Sequence, residues 1–128
     1  MLVDLVTPGV LTSVGNVFTM RMHNEFLGDY TIDNHVVEFD PERRIAWEPV
    51  LSATSREEAK PNIGHNLHHR WGYELEVVGP ATTFITEFFD CSRSSEAWQE
   101  DLQEDMQSWM PAAIAATLER IELLIRDN

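Results

Sequence analysis

The stretch Arg70-Trp-Gly-Tyr-Glu-Leu-Glu-Val-Val-Gly-Pro-Ala-Thr-Thr-Phe-Ile-Thr-Glu-Phe-Phe-Asp-Cys91 decides the fold. Its first half alternates: Trp71, Tyr73, Leu75 and Val77 against Arg70, Gly72, Glu74 and Glu76. Period two is the mark of a half-buried strand. Gly79-Pro80 is a turn signal, and residues 81–91 read as the return strand. Pairing Val77 with Thr82 sets Leu75 opposite Phe84, Tyr73 opposite Thr86 and Trp71 opposite Phe88. In that register four aromatic side chains share one face and Glu87 points to the other. Cross-strand pairs of this kind add roughly 0.2–1 kcal/mol each relative to alanine pairs.

Upstream the same period recurs. Phe18, Met20 and Met22 alternate with Thr19, Arg21 and His23 across residues 14–24, and a second strand over 29–39 follows a turn at Gly28-Asp29. Asp40-Pro41-Glu42-Arg43 is a turn in which proline presets φ and aspartate bonds forward to the backbone. A three-residue loop there sets Phe39 opposite Ile45 and Val37 opposite Trp47, keeping all four on one face; a loop one residue longer mixes faces. Residues 49–69 read as one long irregular segment, with a short helix over 55–60 as an option, and segments of that length in a compact domain are usually functional or disordered. Thr7-Pro8-Gly9 is a further turn signal.

Downstream the period changes. Residues 92–95 offer hydroxyls for an N-cap, and Glu96 favours the positive end of a helix dipole. Trp98, Leu102, Met106, Met110, Ile114 and Leu118 then recur every fourth residue, while Glu100, Asp101, Glu104 and Asp105 form the wet side. Pro111 removes one helical hydrogen bond, so a kink or restart is expected near it. Consecutive strands followed by one long helix make an α+β domain, with the aromatic sheet face and the helix stripe burying each other.

Composition narrows the function. The 128 residues fit one domain, 1–128. With 22 acidic against 9 basic residues, the net charge of −13 disfavours nucleic acid and anionic membrane surfaces. No apolar run reaches the ~20 residues of a membrane span, and Met1 to Val6 has an early Asp4 and no basic leader. Cys91 is the single cysteine, which excludes an internal disulfide and suits a reducing cytoplasm. It reads as a half-buried strand residue rather than a reactive thiol.

Several short pieces together resemble one family. Val14-Gly-Asn-Val-Phe18, Val36-Val-Glu-Phe-Asp-Pro-Glu-Arg-Arg-Ile-Ala-Trp47, Trp71-Gly-Tyr-Glu-Leu-Glu76, Ala81-Thr-Thr-Phe-Ile-Thr-Glu-Phe-Phe-Asp90 and Ala116-Thr-Leu-Glu-Arg-Ile-Glu122 resemble, in order and spacing, the polyketide-cyclase/dehydrase-like group of the START-like (SRPBCC, helix-grip) superfamily. The resemblance covers about residues 14–126. It implies a curved antiparallel sheet wrapped around a long C-terminal helix, and a cavity between them for an apolar ligand. Members of the group begin with an extra strand and two small helices. Only 13 residues precede Val14 here, so the resemblance implies either a late start or an N-terminally abbreviated fold, lacking that strand and the helices, whose uncovered sheet is a surface for a homodimer. The superfamily's functions are diverse, and fold does not fix function.

The candidate ligand-binding set is Trp47, Trp71, Tyr73, Phe84, Phe88, Met106, Trp109 and Met110, weighed against a filled core. Tyr73 stands out, since a buried phenol needs a polar partner. His65, His68 and His69 have spacings that could converge on zinc only on a helix, and no carboxylate or cysteine sits at ligand spacing; a solvated loop or a hydrogen-bonding role at a pocket mouth fits better. No metal and no cofactor is expected. Tyr73 and His69 are candidate acid/base groups; Glu87 becomes one only if the strand register shifts by a residue and turns it inward, and Asn34 and His35 carry the same ambiguity. Three functions stay open: binding of an apolar or amphipathic small molecule, a cyclase or dehydratase chemistry, and a dimeric interaction protein without ligand.

Overall fold

The computed structural model of the chain describes residues 2–5, 11 and 13–126; for 2–5 and 126 it describes the backbone alone. The turn expected at Thr7-Pro8-Gly9 lies outside the described residues. The fold is α+β: a curled antiparallel sheet followed by two C-terminal helices. The sheet is a meander of β1 (Leu2–Leu5), β2 (Val17–Asn24), β3 (Gly28–Asp40), β4 (Arg44–Thr54), β5 (Arg70–Gly79) and β6 (Thr82–Asp90), each strand bonded to the next. β1 corrects the expectation that no strand precedes the first hairpin: Leu5 pairs with Met20 and Leu2 with Met22.

The β3–β4 hairpin closes with the expected three-residue loop, Asp40 opposite Arg44 and Phe39 opposite Ile45. Beyond that the pairing slips. A bulge between Val36 and Glu38 makes Val37 the extra residue, so Val36, not Val37, faces Trp47. β4 also runs well past Glu48, through Pro49 to Thr54. Proline is tolerated there because the β4–β5 ladder ends at Trp47 and Trp71. The irregular segment is therefore shorter than 49–69. It contains a 3-10 turn, Glu57–Asn62, offset from the helix expected over 55–60, and its second half is tied back to the sheet by the Val50–Asn66 bridge and by Gly64 N–H on the Leu51 carbonyl at 2.8 Å.

The larger correction lies in β5–β6. Gly79 pairs with Thr82 and Val77 with Thr83, leaving Val78 as a bulge beside the turn. Every pair beyond it is shifted by one: Leu75 faces Ile85, Tyr73 faces Glu87, Gly72 faces Phe88 and Trp71 faces Phe89. Since one residue inverts a strand's faces, Phe84 and Phe88 leave the aromatic face, and Ile85, Glu87 and Phe89 join it.

One face of the sheet thus carries Phe18, Asn34, Val36, Trp47, Trp71, Tyr73, Glu87 and Phe89. Phe18 meets Trp47 edge-on at 5.5 Å, Trp47 meets Tyr73 at 5.8 Å, and Trp71 meets Phe89 at 4.9 Å between ring centroids. The opposite face holds a polar network. Glu48 accepts hydrogen bonds from Arg70 Nε at 2.7 Å and Asn66 Nδ2 at 2.9 Å. Arg44 bonds Glu38 at 2.9 Å, ion-pairs with Glu74, and lays its guanidinium over the Phe88 ring at 4.3 Å. Phe88 in turn covers Gly72, where a side chain would overlap both the Phe88 ring and the Ile45 carbonyl oxygen.

The long helix expected at the C-terminus is two: α1 (Glu96–Gln107) and α2 (Met110–Arg126). Pro111 enforces a restart rather than a kink, and sits in the first turn of α2, where its missing N–H costs nothing. Ser95 caps α1, its Oγ accepting from Trp98 N–H at 3.2 Å. Leu102 and Met110 are buried and Met106, Ile114, Leu118 and Ile121 half-buried, so the four-residue stripe is the covered side of the helices. α2 lies against β6, and Ile121 lines an open cleft together with Tyr73, Leu75 and Ile85 of the aromatic face.

Candidate functional site

The aromatic face carries polar groups at two separate stations. The first is the Tyr73–Glu87 pair. Alternation along β5 brings Tyr73 inward with Trp71, and the Val78 bulge brings Glu87 directly opposite it. The pair shares a hydrogen bond. Burial pushes the Glu87 carboxyl up, and the Tyr73 hydroxyl opposes that without cancelling it. Burial, then the Glu87 acceptor and its charge, push the Tyr73 phenol well above its ordinary value, so it stays protonated. Tyr73 also forms the floor of an open cleft of about 340 Å³ with Phe39, Ile45, Leu75, Ile85 and Ile121. Asp40, Glu42, Arg43 and Arg44 stand around its mouth. The cleft is apolar inside, and its rim carries two cations and two carboxylates.

The second station lies at the other end of the strands. His69 precedes Arg70 and points to the same side as Trp71, against Phe89 at 5.7 Å and the Trp98 indole of α1 at 6.4 Å. The loop before it is fixed from two sides. Asn66 bonds Glu48 on the far face, and Ser94 Oγ donates to the Leu67 carbonyl at 2.7 Å, which ties the loop to the start of α1. His68 adopts a positive φ of 62° at the point where the chain turns into β5. Burial lowers the pKa of His69, and the charge of Glu48 opposes this only in part. His69 Nδ1 and Trp98 Nε1 are buried without a hydrogen-bond partner. So is Asn34 Oδ1, on a residue that is 0% exposed and whose Nδ2 donates to the Phe18 carbonyl at 3.3 Å.

The site residues expected from the sequence therefore divide. Trp47, Trp71 and Tyr73 lie together on the aromatic face. Phe84 and Phe88 are on the other side of the sheet, Phe84 59% exposed and Phe88 under Arg44, because the bulge inverted their strand. Met106 and Met110 belong to the covered helix stripe. Trp109 does not: it is 51% exposed at the helix break, its Nε1 donating to Asp105 Oδ1 at 2.8 Å. Glu87, placed outward by the sequence register, is inward. His69 and Tyr73 are four residues apart on one strand, about 13 Å at ~3.3 Å per residue, so they cannot act on one atom; the inward partner of Tyr73 is Glu87. His65 is exposed, and His68 turns to the far face, its Nδ1 3.5 Å from Glu48. Among the described residues no group of three or more His, Cys, Asp or Glu side chains could hold a metal ion. His35 is exposed and Cys91 half-buried just past β6.

Phe18, Phe89, Asn34 and Trp98 lie on the inward side though the expected ligand-binding set left them out. Asn34 alternates in phase with Tyr30, Ile32 and Val36 against Thr31, Asp33 and His35, and that alternation turns it inward. Trp98 opens the same i, i+4 stripe as Met106 and Met110, which is the signal that places it inward. Among the described residues no helix is long and apolar enough to cross a membrane. Compared with known proteins, the chain matches no family model, no curated protein and no solved structure.

Proposed function

We propose that the chain is a helix-grip-like binding module that holds an apolar or amphipathic small molecule between the aromatic sheet face and the helices. The observation that carries this is the half-buried row Phe18, Trp47, Tyr73 with Trp71 and Phe89 beside it. Five large rings on one concave side, none fully covered by α1 or α2, leave apolar area that a ligand would remove from water at about 25 cal/mol per Å². The cleft under Ile121 gives such a ligand an entrance, and the START-like resemblance of the sequence points the same way. Titration with 1-anilinonaphthalene-8-sulfonate, read by its fluorescence, tests the reading: saturable binding is expected, weakened at least severalfold in Trp71→Ala. Absence of binding to the folded wild-type chain overturns it.

A second reading is favoured by one observation, the Tyr73–Glu87 pair on the cleft floor. A carboxyl held above its usual range next to a protonated phenol is the arrangement general acid–base chemistry uses. In a cyclase or dehydratase step Glu87 would take a proton next to a carbonyl, and Tyr73 would donate a hydrogen bond to the oxygen. An assay on a β-hydroxy-carbonyl substrate in which both Tyr73→Phe and Glu87→Gln leave turnover unchanged disposes of this assignment.

A further inference from the structure

The sheet ends differently at its two edges. β1 is four residues long, and its ladder with β2 is irregular between Leu2 and Asp4. β6 is nine residues long, pairs with β5 without interruption from Thr83 to Asp90, and contains no proline, lysine or arginine. Among the described residues β5 is its only strand neighbour, and no loop or helix backbone bonds to its outer edge. The free N–H and C=O groups of such an edge are a template for another strand, which natural sheets usually blunt with lysine, proline, bulges or inward charges. The one inward carboxyl of β6, Glu87, is taken up by Tyr73.

The chain also shows more surface than a compact monomer. It exposes 8985 Å², whereas a folded monomer of 14.7 kDa exposes about 6,900 Å². The excess, about 2,000 Å², is larger than the roughly 800 Å² that each partner covers in a standard interface. Among the described residues the buried apolar set is thin: Val36, Ala46, Ala59, Leu102 and Met110. Val77 and Phe84 of the last hairpin and Leu123, Leu124 and Ile125 of α2 are each more than half exposed, and apolar area of this kind marks an interface. α2 lies against β6, so a partner on the β6 edge comes up beside the helix as well.

β6 is complementary to itself. Antiparallel partners share a face, so a two-fold axis relating two copies of one strand passes through a residue rather than between two. An axis through Thr86, the middle of the strand, pairs all nine residues: Thr82 with Asp90, Thr83 with Phe89, Phe84 with Phe88, Ile85 with Glu87, and Thr86 with its own copy. No like charges face each other, and Phe84, 59% exposed in the single chain, meets an aromatic ring. An axis through Glu87 would instead set two carboxylates against each other. We propose that β6 pairs in the Thr86 register with β6 of a second copy of the chain, joining the two sheets into one. Ile85 of the partner subunit then lies opposite Glu87, so the apolar inner face runs on from one chain into the other. The pairing does not depend on the ligand reading above.

Thr86 is exposed, so Thr86→Lys suits the single chain but sets two ammonium groups against each other on the axis. In sedimentation velocity the wild type is expected to run as a dimer at about 20 μM, within the range a standard-size interface reaches. Its association should strengthen as salt screens the −13 charge of each chain. Thr86→Lys and Thr86→Glu are each expected to associate about tenfold more weakly and to run as monomers. An equimolar mixture of the two puts an ammonium against a carboxylate and is expected to recover a dimer, which native mass spectrometry identifies as mixed. Should Thr86→Lys lose its cooperative thermal transition, Phe84→Lys reads the same dissociation. A monomeric wild type at that concentration, or folded variants that stay dimeric, overturns the pairing. Failure of the mixture to recombine overturns the register through Thr86.

Discussion

Tyr73 and Glu87 face each other across the β5–β6 ladder, on the covered side of the sheet. The placement has a thermodynamic cost that varies with pH. The Glu87 carboxyl is raised in the folded chain, chiefly by burial, so the unfolded chain gives up this proton first. Stability contributed by Glu87 is then fully present below the ordinary carboxylate pKa of about 4.3 and declines as pH climbs from there to the raised folded value.

Glu87→Gln removes that decline. The variant is expected to melt at a higher temperature than wild type at about pH 7, with the difference closing below about pH 4. Thermal melts followed by circular dichroism at both pH values check it; a variant less stable at neutral pH would mean that the carboxylate is well solvated.

Glu48 behaves in the opposite sense. Burial pushes its carboxyl up, but the hydrogen bonds from Asn66 and Arg70, the Arg70 charge and His68 outweigh burial and hold it below the usual range. Its contribution is present above the unfolded pKa and disappears as pH falls through the folded one. Glu48→Gln removes the closer of the two carboxylates that pair with Arg70, whose side chain is only 17% exposed, and leaves it Glu38 at 3.4 Å; the expected cost is about 1–3 kcal/mol at neutral pH. Urea unfolding should show the wild type and variant converging in acid.

Gly72 is fixed by its neighbours. A methyl group there meets the Ile45 carbonyl oxygen and the Phe88 ring together. The ring could turn aside, at the expense of its stacking under Arg44, but the backbone oxygen cannot. Gly72→Ala is expected to destabilise by about 2–3 kcal/mol, and Gly72→Ala combined with Phe88→Leu to recover only part of it. Full recovery in the double variant would show that the ring alone sets the limit.

Ser95→Ala removes the side-chain acceptor of the Trp98 N–H. The expected loss is about 1 kcal/mol, and Ser95→Asp, which keeps an acceptor and adds a charge favourable to the dipole, should restore it. Denaturant midpoints measured at constant m-value decide the point.

The residues explain why some of this was legible in the sequence and some was not. Asp40-Pro41-Glu42-Arg43 fixes its own loop length, because only the odd loop keeps Phe39 and Ile45 on one side, and that pairing stands. The Val37 bulge leaves no such trace: Val36 and Val37 are equally apolar, so alternation cannot say which of them is the extra residue. The same holds for β6. Phe84, Ile85, Phe88 and Phe89 put large apolar groups on both faces, so a one-residue slip at Val78 costs the pattern nothing and inverts Phe84, Glu87 and Phe88. The helix stripe carried Trp98 toward the sheet by spacing alone, and Ile32 and Val36 put Asn34 on the same face of β3, but an amide between two apolar residues carries no sign of a binding role. The break at Ser108-Trp109 followed from Pro111. Trp109 lies one residue off the four-residue series, which runs unbroken in phase from Met106 to Met110 and Ile114, and its indole turns out to Asp105.

The hydroxyl of Ser95 does more than terminate a coil. It is the index mark from which α1 counts its turns, and each residue of slippage rotates the helix by about 100°. Were the count to begin one position later, the Trp98 indole would swing off His69 and Phe89 toward solvent, and the acidic side of α1 would turn toward the sheet. A single inserted alanine after Ser95 should therefore empty that end of the interior while leaving the strands intact.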